Sequence, residues 1–120
     1  MQEGGIMIVK VIIKRDVREG KEDKFFPLLK NLRFNAIHQE GYISGETLIC
    51  AENTNRVLVI SKWESLKDWS NWKNDIKRRE IDTRLSQLQD NPTIYEPYVF
   101  SKYKAAAEQG FPLPLQSQQL

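Results

Sequence analysis

The sequence predicts an α+β domain of ferredoxin-like type, βαββαβ, with a four-stranded antiparallel sheet and its helices on one face. Three observations carry this. Four β-branched or aromatic runs alternate with helical patterns in that order. A length of 120 residues suits one domain with a real core and not two. The stretch from Gly41 to Trp72 reads as a turn, a hairpin and a capped helix in direct succession. Residues 1–103 make up the domain and 104–120 a tail.

Ile6 to Arg15 (IMIVKVIIKR) is too short and too β-branched for a buried helix and reads as the first strand. Ile6, Ile8, Lys10 and Ile12 share one side of it; Met7, Val9, Val11 and Ile13 share the other. Asp16 to Gly20 turns the chain. Lys21 to Glu40 then shows helical spacing, with Phe25, Leu29, Leu32 and Ala36 on one stripe and Leu28 beside it. Pro27 lacks the amide hydrogen, so it either kinks this helix or begins it. Gly41 suits a left-handed cap.

Glu46 to Glu52 and Arg56 to Trp63 read as a hairpin whose turn is Asn53, Thr54 and Asn55, because asparagine tolerates positive φ. Val57 and Val59 lie on one face of it, Leu58 and Ile60 on the other. Ser65 followed by Asp68 is close to a capping box and opens a helix with Leu66, Trp69 and Trp72 on its buried stripe. A second helical segment, Asp75 to Gln89, carries Ile81, Leu85 and Leu88 inward and Lys77, Arg78, Glu80 and Arg84 outward. Asn91-Pro92 stops it. Thr93 to Tyr103 is the last strand, where Pro97 calls for a sheet edge. From Lys104 no period is sustained, which fits a flexible arm or a strap across a neighbouring subunit.

Lys+Arg 18 against Asp+Glu 16 leaves a net charge of +2, too balanced to advertise a nucleic-acid or anionic-membrane partner. Lys77, Arg78, Arg79 and Arg84 interleave with acids and not with the aromatics that single-strand binders use. One cysteine, Cys50, and one histidine, His38, exclude an internal disulfide and a conventional multi-ligand metal centre. No apolar run approaches the roughly 20 residues of a membrane helix, and no export segment is evident. The expectation is a soluble cytoplasmic protein without metal or flavin. Because helices cover only one face of a sheet that is apolar on both, a homodimer packed face to face is expected as well.

GYISGETL after the first helix, ISKW at the end of the third strand and the following WESLKDWSNWKND…RR…I resemble the antibiotic biosynthesis monooxygenase family. The likeness spans residues 6 to 103. It implies a dimeric α/β barrel with a cavity between sheet and helices in each subunit. Relatives include cofactor-independent oxygenases that turn phenols or quinols into quinones, and others that degrade haem. The haem-degrading pattern has a histidine about ten residues after a helix tryptophan and an asparagine on the first strand. Here Asp82 follows Trp72 at that distance and the first strand has no asparagine, so haem is the weaker expectation.

Within that reading Trp63 and Trp72 border a pocket where a planar substrate stacks, while Trp69 reads as core. Tyr42, Tyr95 and Tyr98 can hydrogen-bond a substrate oxygen. His38 has the pKa of a general base for a phenol, though its place at a helix end also serves the helix dipole. Arg79, with Arg78 beside it, can hold an anionic oxygen. Cys50 reads as a small buried apolar residue, and Glu46 either closes the turn into its strand or acts as a competing base. Two functions follow from different classes: a cofactor-independent monooxygenase acting on a small aromatic molecule, and a non-catalytic dimer that binds one.

Overall fold

The computed structural model describes residues 7–99. Its elements are β1 (Val9–Asp16), α1 (Glu22–Ala36), β2 (Tyr42–Cys50), β3 (Asn53–Trp63), α2 (Leu66–Lys73), α3 (Ile76–Ser86) and β4 (Ile94–Val99). The sheet order is β2-β3-β1-β4 and every pairing is antiparallel. The expected ferredoxin-like order is present, with the second helical stretch divided between α2 and α3. The end of the expected last strand and the tail 104–120 lie outside the described residues.

β1 sets the layers. Its odd residues Val9, Val11, Ile13 and Arg15 are buried, and each pairs across to a β3 residue on the same face: Trp63, Ser61, Val59 and Val57. Against this face pack Phe25, Leu29, Leu32 and Ala36 of α1, the anticipated stripe, together with Trp69 and Trp72 of α2 and Ile81 and Leu85 of α3. Each large apolar side chain in that layer contributes about 1.5–3 kcal/mol through burial.

The opposite face is neither fully apolar nor polar. Ile12 and Ile60 share one rung with Glu46 and Glu96; Lys14 and Leu58 share the next with Leu48 and Ile94. Lys10, Lys62 and Tyr98 close one end. A half-exposed apolar centre is thus framed by charges of both signs. Lys14 and Glu96 form an ion pair at 3.5 Å within it.

Several expectations need correction. α1 starts at Glu22 and continues through Pro27, which sits on the exposed side, so the proline neither begins nor ends it. The hairpin turns at Ala51 and Glu52, because Cys50 pairs with Asn53; Asn53 to Asn55 belong to β3. There the Asn55 amide donates to Val17 O (3.1 Å) and Glu22 Oε2 (2.8 Å), tying the strand to the start of α1. Leu66 is 49% exposed, since it occupies the outward side of the first turn of α2. Arg78 faces inward at 2% exposure: it stands three residues before Ile81 and seven before Leu85, on the same stripe. Pro97 lies on β4, an edge strand, as its missing amide requires.

Candidate active site

Between the sheet and the three helices lies a cavity of about 50 Å³. Ile13, Val59 and Trp63 give it a floor, and Leu29, Leu32 and Ala36 of α1 part of its roof. The aromatic wall forms because the first turn of α2 is fixed by two devices. Ser65 Oγ accepts the Asp68 backbone N–H at 3.0 Å, fixing its first turn, and Gly41, at φ +85, lets the chain pass against the Asp68 carboxylate. Trp69 and Trp72 then turn inward at three-residue spacing.

Trp63 stacks edge-on to Tyr42 (centroids 5.3 Å apart) and tilted against Trp69 (6.0 Å), and donates its indole N–H to Ser61 Oγ at 3.1 Å. All four aromatic rings line the cavity. Gly45 opposite them leaves room for the Tyr42 hydroxyl: a Cβ there would stand 2.6 Å from it. Arg33 donates to the Gly45 carbonyl, strapping α1 to β2 at the edge of the cavity.

Two buried guanidiniums also line this space, Arg15 from β1 and Arg78 from α3. Arg15 is 1% exposed; its Nη1 donates to Gln89 Oε1 (3.0 Å) and Thr93 Oγ1 (3.1 Å). The Asp82 carboxylate stands 2.8 Å from the same nitrogen but off the line of its N–H bonds, so it balances charge without an aligned hydrogen bond. Arg78 donates from Nη2 to the Tyr95 hydroxyl at 2.9 Å and lies over the rings of Tyr95 (5.1 Å) and Trp69 (5.7 Å). Arg15 Nε and Nη2 and Arg78 Nε are buried with no acceptor among the described residues.

Of the residues singled out from sequence, the structure brings together Trp63, Trp72 and Tyr42 on the cavity, with Tyr95 behind it holding Arg78. Tyr98 is exposed on the outer face. His38 stands apart from the cavity: it follows the end of α1, its Nδ1 2.9 Å from the Phe34 carbonyl and its ring against Phe34 in solvent. Arg79 is exposed, and the guanidinium on the cavity is its neighbour Arg78. Glu46 pairs with Ile60 on the outer face and meets the cavity at its edge. Sequence reasoning passed over Arg15, although it continues the inward set Val9, Val11 and Ile13, and it favoured the core over the pocket for Trp69, which is buried and also lines the cavity.

The family model for antibiotic biosynthesis monooxygenase matches residues 8–80. That span runs from β1 into α3 and contains Arg15, Arg78 and all three tryptophans. The chain belongs to the antibiotic biosynthesis monooxygenase family. Solved structures agree in fold. A conserved protein from Methanosarcina mazei Go1 is similar at TM-score 0.73 and 22% identity, over 79% of this chain and 94% of that one. SnoaB from Streptomyces nogalater, a cofactor-independent oxygenase, is similar at TM-score 0.71 and 14% identity, over 79% and 94%. Rv0793 from Mycobacterium tuberculosis is similar at TM-score 0.70 and 13% identity, over 76% and 92%. At such identities the likeness speaks for the antibiotic biosynthesis monooxygenase fold alone. The sequence has no significant match among curated proteins. Among the described residues no helix is long and apolar enough to cross a membrane.

Proposed function

We propose that this antibiotic biosynthesis monooxygenase homologue oxidises a small phenolic or quinol-type aromatic molecule with dioxygen, without metal or flavin. The observation that carries the reading is a tryptophan-walled cavity lined by Arg78, whose buried guanidinium Nε has no acceptor among the described residues. A phenol bound there is held as its anion: a buried positive charge lowers the pKa of a nearby acid and stabilises the oxyanion that forms. The proton passes to solvent. The phenolate gives one electron to dioxygen, the resulting pair joins at ring carbon, and the peroxide breaks to a quinone carbonyl. One oxygen atom stays on the ring, and the other leaves as water with the hydrogens of the ring C–H and the phenol O–H. The protein's work is orientation, anion stabilisation and exclusion of water.

One observation favours the non-catalytic alternative: His38, the sole histidine, is off the cavity, so no imidazole base reaches a ligand within one protomer. Oxygen uptake with a panel of quinols and anthrone-like phenols, run beside tryptophan-fluorescence quenching, separates the two. Uptake matched by quinone supports the oxygenase. Quenching without uptake across the panel supports the binder.

The working unit in this reading is a homodimer formed through the outer sheet face. Ile12, Leu58 and Ile60 at its centre gain by removal from water, and the framing Lys10, Lys14, Lys62, Glu46 and Glu96 supply charges of both signs for a self-complementary two-fold contact.

A further inference from the structure

Of the two fully buried guanidiniums on the cavity, Arg15 is the one the phenol reading leaves unused. Its surroundings are unbalanced in a specific way. Arg15 and Arg78 bring two buried positive charges, and among the described residues one carboxylate, Asp82, is ion-paired with them, through Arg15. A buried charge without a counterion is costly, so a fold that keeps one gains by binding an anion there. Geometry narrows the anion further. Arg15 commits Nη1 to Gln89 and Thr93, while Nε and Nη2 stay buried and unpartnered. Those two nitrogens form one edge of the guanidinium, with N–H bonds that run side by side and match the two oxygens of a carboxylate. Arg78 is held from the same stretch of chain: it bonds Tyr95 of β4, and Thr93, which bonds Arg15, lies just before that strand.

Size limits the ligand to a small one. An apolar cavity of about 150 Å³ accepts benzene, whereas this one holds about 50 Å³. Even a single ring requires the cavity to widen. A fused polycycle requires the helices to part from the sheet.

We infer that the ligand is a monocyclic aromatic carboxylate, its carboxylate on the Nε–Nη2 edge of Arg15 and its ring against the tryptophans. This rests on the oxygenase reading for the fate of the ring but not for its binding. The test is tryptophan-fluorescence quenching of the full chain by benzoate and by benzamide, which share shape and differ in charge. Benzoate is expected to bind at least about ten-fold tighter, and Arg15→Lys, which keeps the charge and loses the paired edge, to reduce that preference below about three-fold. Equal binding of the two, or a preference unchanged in Arg15→Lys, overturns the inference and leaves the oxygenase reading intact. Turnover of uncharged phenols with no benzoate binding does the same. A benzoate preference without dioxygen uptake on any hydroxylated benzoate sustains the inference and removes the oxygenase. Where Arg15→Lys fails to fold, the wild-type comparison still decides: no charge preference overturns the inference.

Discussion

A methyl group at Gly41 would lie 2.2 Å from the Asp68 carboxylate while the backbone holds φ at +85. Two costs therefore add at one residue, left-handed strain and overlap with a capping side chain. Gly41→Ala is predicted to lose about 1–3 kcal/mol of stability in urea unfolding, and Asp68→Ala in that background to leave most of the loss in place, because the Cβ of residue 68 itself stands 2.5 Å from the added methyl. Local pattern also decides which site residues the sequence reveals. Arg78 is inward because it falls on the stripe of Ile81 and Leu85, and Arg15 because it continues the alternation of Val9, Val11 and Ile13. Periodicity alone places both. What hid them was the prior that arginine is solvated, which ignores that Tyr95, Thr93 and Gln89 wait as partners. His38 misleads for the opposite reason: its chemistry fits a base, but the helix ends at Ala36 and leaves it in solvent.

Each helix is placed by an identifiable device, and each device can be removed. α2 depends on its Ser65 cap, so Ser65→Ala should cost about 1 kcal/mol. α3 depends on its inner stripe: Leu85→Ala, at a fully buried position, should cost about 2–5 kcal/mol. Leu66→Ala, at 49% exposure, should cost well under half of that, with chemical denaturation as the check on both. At the start of α1 the Glu22 carboxyl is held below the usual range by its own backbone N–H and then by the Asn55 amide. A folded pKa below the unfolded one means the contribution is present above the usual carboxylate range and disappears as pH falls through the folded value. Asn55→Ala is predicted to raise the Glu22 pKa in an NMR titration. Element types and their order were legible from hydrophobic period and capping residues. The hairpin register was not, since Asn53 and Asn55 suit a turn as well as they suit the cross-links that Asn55 makes from β3.

At the scale of the whole molecule, sequence shows that two apolar layers exist but not how completely side chains fill the space between them. Cavity volume depends on how Tyr42, Trp63, Trp69 and Trp72 interlock, which periodicity does not encode. The outer sheet face poses the other large-scale question. Ile60→Glu adds a charge at its centre, opposite Glu46, and is predicted to shift the protein to monomers in sedimentation velocity while the circular dichroism spectrum stays unchanged. A wild-type monomer at micromolar concentration would refute the face-to-face dimer. The proposed oxidation is chemistry inside the cavity. Its most direct measurement is the mass of the product formed from a hydroxylated aromatic under isotopically heavy dioxygen, in wild type and in Arg78→Gln. One heavy oxygen in the new ring carbonyl is predicted, with the rate about 100-fold lower in the variant. A product without the label, or a rate indifferent to Arg78, would contradict it.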